Sequence, residues 1–170
     1  NLNAVNPHRQ FVGLECFRIL RMPAPVMNFV SLAFNQTLVP YYIQVERTDR
    51  YAMERLFGNG DGNLYRGIEQ ANLDYRGEDQ APYRPHYMKI TNELQNDYTD
   101  IVDLCRAFSA TSDTEFVEAL SREINVRQWI RWFALKEILN DREGGLSLER
   151  GDDYYIYKNP GDDLFYLLPW

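Results

Sequence analysis

The chain has few of the residues that build disulfide frameworks or structural zinc sites, since only two cysteines and two histidines occur among its 170 residues. Cys16 and Cys105 form no C-x-x-C pair, and with His8 and His86 as the only further ligands of this kind the sequence disfavours a structural zinc site. Both cysteines fall on the apolar faces of predicted helices. We therefore expect buried free thiols rather than a disulfide or a metal site.

Long hydrophobic runs and clusters of positive charge are also lacking. No apolar run approaches the roughly 20 residues that span a bilayer, so the sequence predicts no membrane insertion. The formal net charge is −7, and the arginines are scattered. Because binding to nucleic acid phosphates needs clustered Lys and Arg, we expect no nucleic acid polymer among the partners. Apolar residues, by contrast, make up 45% of the chain, enough for the core of one domain.

The first third of the chain predicts a helix followed by two strands. Apolar residues recur at helical spacing from Pro7 to Arg21, and the Met-Pro-Ala-Pro run at 22–25 ends the helix. Residues 29–34 and 38–45 are rich in β-branched and aromatic residues, which favours two strands. Their connection, Asn35-Gln36-Thr37, lacks the Asn-Gly that favours a two-residue type I′ turn, so we expect a longer loop.

The middle of the chain is rich in glycine and proline, which interrupt helices and strands. A short helix is predicted over 51–57, and the glycine-rich run at 58–62 ends it as a flexible turn. The polar stretch at 67–85, with Gly77, Pro82 and Pro85, predicts a long excursion over the surface.

Helical patterns follow. Apolar spacing predicts a helix over 94–108, with Leu94 on its apolar face, and Ser112-x-x-Glu115 is a capping-box signal for another over 116–124. Asn125 is suited to cap a third helix, which has so little polar surface that we expect it to be buried.

The last thirty residues carry the strongest chemical signal. Asp141 closes the third helix, a loop with Gly144 and Gly145 follows, and Asp153 precedes a tyrosine-rich hairpin that runs to Trp170. Carboxylates at both ends of such a loop can meet at one site for a metal and a phosphate.

Five segments carry motifs in a fixed order along the chain, namely Arg9–Pro25, Phe29–Glu46, Gly62–Arg66, Tyr87–Lys89 and Asp141–Trp170. This ordered set resembles the spore coat protein H (CotH) kinase family. The family has, in the same order, a helix ending P-A-P, a hairpin ending Y-x-x-x-E, the motifs G-x-L-Y-K and Y-x-L-K, and an N-x-D type helix end followed by N-Y-Y-L-Y and a strand ending P-W-D-x-D. In this pattern the first metal-binding aspartate of the family would directly follow Trp170.

The resemblance implies an α+β fold of the protein-kinase type. It implies one domain over residues 1–170: a small-lobe helix, hairpin and hinge (1–50), a β/loop excursion (51–93), and a helical lobe with catalytic loop and hairpin (94–170). It also implies that the first strands of the small lobe lie before residue 1, together with a lysine that pairs with the nucleotide. Without those strands, we expect the hairpin at 29–45 to expose an apolar face.

The resemblance also assigns candidate roles to four residues. Asp141 corresponds to the catalytic-loop aspartate, and Asp153 stands where the family usually has a metal-binding Asn, with the adjacent Asp152 leaving the register open by one position. Glu46 is implied to lie near the nucleotide, and Arg66, in place of a frequent Lys, is a candidate for contacting phosphate. ATP and Mg²⁺ are the implied cofactors.

The function implied is an ATP- and Mg²⁺-dependent protein phosphotransferase with Ser or Thr acceptors on coat, surface or secreted proteins. Its partners are then a nucleotide and a protein substrate, and its location is the spore coat, the cell surface or the exterior. Asp153 in place of Asn keeps an alternative open: a pseudokinase or structural binding module of a coat or surface. Two further alternatives are transfer of a group other than phosphate and a carbohydrate-binding domain with exposed aromatics.

Overall fold

In the computed structural model, residues 7–110, 112–141, 145–146 and 151–170 are described. They form a mixed α+β structure, as the sequence predicts, with two antiparallel sheets. The helices are α1 Pro7–Ile19, α2 Arg50–Phe57, α3 Thr99–Phe108, α4 Asp113–Glu123 and α5 Val126–Ile138, with a 3₁₀ turn at Glu93–Gln95. The strands are β1 Met27–Phe34, β2 Thr37–Val45, β3 Asn63–Gly67, β4 Tyr87–Lys89, β5 Tyr154–Asn159 and β6 Leu164–Pro169.

The β1–β2 hairpin closes through a two-residue turn. Phe34 pairs with Thr37, and between them Asn35 and Gln36 both have positive φ, 47° and 66°. The prediction of a longer loop was therefore wrong. A primed turn matches the twist of the two strands, and Asn adopts the left-handed region easily, so that only Gln36 is strained.

The hairpin exposes apolar side chains, although not all of them on one face as the sequence predicts, because Phe34 pairs with Thr37 and Leu38 pairs with Ala33. Helix α1 contacts it through the rings of Phe11 and Phe29, whose centroids lie 5.0 Å apart. Phe34, Leu38 and Tyr42 are exposed, with 75% of the Phe34 surface accessible. The β1–β2 sheet is thus covered incompletely by the part of the chain that the structure describes.

The second sheet has the strand order β4-β3-β5-β6, with every neighbouring pair antiparallel. Helix α5 is fixed to β6 because the Gln128 amide both donates to the Leu167 carbonyl (2.7 Å) and accepts from its N–H (3.0 Å). The Trp129 indole donates to the Phe165 carbonyl at 2.9 Å. These bonds set the N-terminal end of α5 beside the sheet.

The segment at 67–85 is packed against the core rather than running over the surface, so that prediction was wrong. Ala71 and Tyr83 are fully buried. Tyrosine hydroxyls bind its backbone: Tyr154 donates to the Ala71 carbonyl at 2.5 Å, and Tyr87 accepts from the Leu73 N–H at 3.0 Å. Those bonds satisfy backbone groups that burial would otherwise leave unpaired.

The sequence predicts the caps of α4 and α5 correctly, but it places the start of α3 too early. Ser112 and Asn125 cap α4 and α5 by accepting from the N–H groups of Glu115 and Gln128. Helix α3 begins at Thr99, which leaves Leu94 in the 3₁₀ turn and exposed.

Helix α5 is buried on one face only. Trp132 is fully buried, while Ile130 and Ile138 lie on the exposed side. Both cysteines are free: Cys105 is buried as predicted, and Cys16 is half-buried. Among the described residues, none of the helices has the length and apolar character to cross a bilayer.

Candidate functional site

Asp141 is held at the C-terminal end of α5 by a Schellman motif. Asn140 adopts the left-handed conformation (φ 50°) and donates its N–H to the Glu137 carbonyl at 3.0 Å. The Asp141 N–H donates to the Lys136 carbonyl, also at 3.0 Å. These are the two backbone bonds of the motif, and Asn is the residue other than glycine that most often adopts its left-handed position.

The Asp141 carboxylate is bound by a buried lysine. Lys136 Nζ lies 2.8 Å from Asp141 Oδ2, and the Lys136 side chain is 5% exposed whereas that of Asp141 is 45% exposed. The ammonium also lies 5.2 Å from the centroid of the Trp132 ring. The carboxylate therefore reaches solvent while its orientation is fixed from inside the protein.

The loop after Asp141 returns to the vicinity of α5. Gly145 pairs with Asp152, and the Gly151 N–H donates to the Gly145 carbonyl at 3.2 Å. Gly145 lies so close to α5 that a Cβ on it would be 3.7 Å from Lys136 Nζ. Gly151 lies against the 71–72 backbone, where the Ala71 N–H donates to its carbonyl at 2.9 Å. Gly145, in the first half of this loop, is thereby held beside Gly151 and Asp152 in its last part.

Asp153 and Arg66 are brought together by the β3–β5 pairing. Arg66 pairs with Tyr155, and its guanidinium Nη2 lies 3.6 Å from Asp153 Oδ1. The guanidinium stacks on Trp170, 3.8 Å from the ring centroid, and Trp170 in turn stacks on Tyr155 with centroids 5.4 Å apart. Asp153 has φ 52°, a conformation that Asp and Asn tolerate better than other non-glycine residues.

The segment that follows β2 approaches the same cluster. Burial raises the pKa of the Tyr155 hydroxyl, against the nearby Arg66 charge and a hydrogen bond with Thr48. Thr48 is two residues beyond Glu46, so the predicted hinge and the Arg66–Asp153 pair converge on one tyrosine.

The Glu46 carboxylate itself is bound by protein groups. Arg55 Nε donates to Oε1 at 2.8 Å and Arg55 Nη2 to Oε2 at 2.5 Å, while the Val26 N–H donates to Oε2 at 2.9 Å. Among the described residues, Glu46 forms no hydrogen bond or ion pair with Asp141, Arg66 or Asp153. In this structure Glu46 ties the hairpin to α2, and its contact with a nucleotide stays a prediction.

We expect Glu46→Gln to weaken the fold in a pH-dependent way. Burial raises the pKa of Glu46, but the Arg55 hydrogen bonds, the Val26 N–H and the arginine charges outweigh it and lower the pKa overall. A lowered pKa adds stability above the ordinary value of the carboxyl, and that stability is lost as pH falls through the folded-state value. The variant should lose about 1 kcal/mol of unfolding free energy at pH 7, and the difference should shrink in acid.

Urea denaturation of both proteins between pH 7 and pH 3 measures this effect. Glu118→Gln is the matched control because Glu118 forms a largely surface-exposed pair with Arg122. A Glu46→Gln difference that does not change with pH would contradict the ion-pair role. Loss of nucleotide binding with unchanged stability would instead support the hinge role.

Comparison with known proteins identifies the family. The family model described as CotH kinase protein matches residues 9–170. The chain belongs to the CotH kinase family. Among curated proteins, no match to the chain was found. Membership makes this a kinase-like protein, and kinases in general use ATP and Mg²⁺.

The residues of this CotH kinase domain suit a Mg²⁺ ion that arrives with a nucleotide better than a resident metal. Within the described ranges, no group of three or more His, Cys, Asp or Glu side chains is arranged to hold an ion. Mg²⁺ at phosphate-transfer sites needs only one or two carboxylates, because phosphates and water supply the other ligands. Asp153 is one candidate ligand. Asp152 is the other, since its buried Oδ1 has no hydrogen-bond partner among the described residues.

Sequence reasoning missed Lys136 and the stacking of Arg66 on Trp170. Lys136 could have been noticed from the sequence, because it lies one turn after Trp132 on the apolar face of α5 that also carries Trp129. A charge on a buried apolar face needs a partner of opposite charge. The stack has no local signal, since it depends on the pairing of strands that are far apart in the sequence. That the carboxylates of Asp141 and Asp153 face one cleft stays a prediction.

Proposed function

We propose that this CotH kinase domain transfers the γ-phosphoryl group of ATP to Ser or Thr hydroxyls of protein substrates. The observation that carries the proposal is the Asp141 carboxylate, which is solvent-accessible yet fixed by Lys136 at the start of a loop that leads back to Asp153. Phosphoryl transfer demands mainly positioning and charge neutralisation from a protein, and a fixed, solvent-accessible carboxylate is suited to the first of these tasks.

In the proposed reaction, Asp141 accepts a hydrogen bond from the acceptor hydroxyl and takes its proton as the hydroxyl oxygen bonds to the γ-phosphorus. The bond from that phosphorus to the β–γ bridging oxygen breaks, and ADP leaves with the electron pair. Arg66 lies beside Asp153 and supplies a planar cation for phosphate oxygens. When bound, Mg²⁺ neutralises phosphate charge, and Asp153, with Asp152 as the other candidate, would hold it.

The same proposal includes a protein-kinase-like fold and a location at a spore coat, a cell surface or outside the cell. The order of a helix, a hairpin, a connecting segment, helices, the loop after Asp141 and a final hairpin supports the fold. The location rests on the family alone.

A pseudokinase or coat-binding module is the second candidate. The observation that favours it is the Arg66–Asp153 ion pair, which occupies a carboxylate that an active site would offer to a metal. This pair is more than one-third exposed on the Asp153 side, so it is weak and a divalent ion can displace Arg66.

The metal role of Asp153 is tested by two substitutions. Asp153→Ala should weaken Mg²⁺-dependent nucleotide binding and turnover, because a ligand oxygen is lost. Asp153→Asn should be tolerated, because its amide oxygen still binds the ion. Titration calorimetry with ATP, with and without Mg²⁺, and phosphate transfer to a Ser/Thr-rich acceptor measure the two effects.

Asp152→Ala is the matched control from the neighbouring position. If it abolishes metal-dependent binding while Asp153→Ala does not, the ligand is Asp152. If the parent protein binds Mg²⁺-ATP but transfers no phosphate, the protein is a pseudokinase. If it binds no nucleotide under any condition, the kinase proposal is wrong.

A further inference from the structure

A buried lysine that no sequence motif singles out lies against the candidate catalytic aspartate. Only 5% of the Lys136 side chain is exposed, and its ammonium lies among the Trp132 ring, the Gly145 backbone and the Asp141 carboxylate. An ammonium removed from water needs a strong partner. Within the described part of the chain, Asp141 is the only carboxylate within ion-pair distance of Lys136.

The Schellman motif explains why the two side chains meet. In this motif the second residue after the helix cap lies over the third residue before it, and that contact is usually hydrophobic. Here the two positions are Asp141 and Lys136, and the contact is an ion pair of 2.8 Å. Lys136 and Asp141 are thus joined twice, through the backbone and through the side chains.

We propose that Lys136 is the positioning residue that orients Asp141 for catalysis. This inference depends on the proposed function of Asp141. Lys136 binds Oδ2, and among the described residues Oδ1 accepts no hydrogen bond, so one oxygen is fixed and the other is left for the acceptor hydroxyl.

Burial distinguishes this role from direct contact with a phosphate. A lysine that binds the transferred group must reach the cleft, and the Lys136 ammonium is enclosed whereas the Asp141 carboxylate is 45% exposed. Lys136 therefore acts through Asp141. Loss of its charge should affect the orientation of the carboxylate and leave nucleotide affinity unchanged.

The test compares kcat with nucleotide affinity in Lys136→Met. Met fills a similar volume without the charge, and we expect kcat to fall by about 10- to 100-fold, because small displacements of a catalytic group have effects of this size. The Kd for Mg²⁺-ATP should not change. Lys136→Arg, which retains the charge, should recover part of the lost turnover.

Lys158→Met is the matched control. Lys158 is another largely buried lysine, 3.3 Å from the Glu123 carboxylate and 5.0 Å from the centroid of the Phe165 ring, and it has no place in the proposed site. Its loss should leave kcat near the parent value. If Lys158→Met lowers kcat as much as Lys136→Met does, the effect comes from general destabilisation and the positioning role is overturned.

A double variant separates the inference from the function on which it depends. If Lys136 acts only through Asp141, adding Lys136→Met to Asp141→Asn should reduce turnover no further.

A weaker Kd for Mg²⁺-ATP in Lys136→Met would overturn the positioning role in favour of phosphate contact. If Asp141→Asn abolishes turnover but Lys136→Met has parental kcat, the inference fails and the function stands. If Asp141→Asn keeps full turnover, the function itself fails.

If Lys136→Met does not fold, Lys136→Gln and Lys136→Arg decide between the outcomes. The positioning role predicts that Arg keeps kcat closer to the parent value than Gln. Equal kcat in the two variants would overturn it.

Discussion

Asp141→Asn is expected to lower turnover by about 10²- to 10⁴-fold, the usual contribution of a positioned general base. The Asn amide can still accept the hydrogen bond from Lys136, so the side chain stays in place but no longer takes a proton. Affinity for Mg²⁺-ATP should be nearly unchanged, because Asp141 contacts the acceptor rather than the nucleotide in the proposed reaction. Single-turnover kinetics and calorimetry on the same preparation separate the two quantities.

Asp163→Asn is the control for this experiment. Asp163 also pairs with a largely buried lysine, Lys158 at 3.5 Å, and it lies in the turn between β5 and β6. The control should keep parental turnover. Equal losses in the two variants would show that removing any such carboxylate disturbs the protein, and would deprive Asp141 of its proposed role.

Gly151→Ala is expected to lower the free energy of unfolding by about 3 kcal/mol or more. Gly151 has φ 59°, and a Cβ there would lie 2.5 Å from the Ala71 oxygen and from the Asn72 nitrogen. Both obstacles are backbone atoms, so no rotamer change relieves the clash. The loop between Asp141 and Asp153 would have to move away from the 71–72 segment, and turnover should fall together with stability.

Gly58→Ala isolates the backbone part of that effect. Gly58 ends α2 with φ 72°, and a Cβ on it would meet no atom within 4 Å. This variant should lose only about 1 kcal/mol, the cost of the left-handed conformation. Denaturant titrations of both variants measure the difference. Equal losses would mean that the loop does not pack against 71–72 as the structure shows.

Features with local signals could be predicted from the sequence. The helix caps Ser112 and Asn125 bond to N–H groups three residues away, so their residue types indicate them directly. The turn at Asn35-Gln36 shows where local preference fails, because the twist of two paired strands outweighs the strain at one residue.

The sequence predicts that Asp141 and Asp153 meet at one site, but it does not predict which other residues lie beside them. The sequence alone contains nothing to indicate that Arg66 would lie beside Asp153 or stack on Trp170, because strand pairing brings those positions together. The packing of 67–85 was missed for a related reason. Its buried backbone is satisfied by Tyr154, a tyrosine 83 positions from Ala71, and a composition rule for polar segments does not include such distant partners.

The strand order β4-β3-β5-β6 delays completion of the second sheet during synthesis, because β3 is made long before its neighbour β5. β3 pairs with β5, and the N–H of Gly62, directly before β3, donates to the Tyr157 hydroxyl in β5, 95 positions further along the chain. At ribosomal speeds of about 5–20 residues per second, roughly 5 to 20 s pass between the synthesis of β3 and the synthesis of β5. During this interval one edge of β3 is open to other chains, and Arg66 has neither Asp153 nor Trp170 beside it. Open strand edges of this kind favour aggregation, so we expect chaperones to raise the yield of active protein.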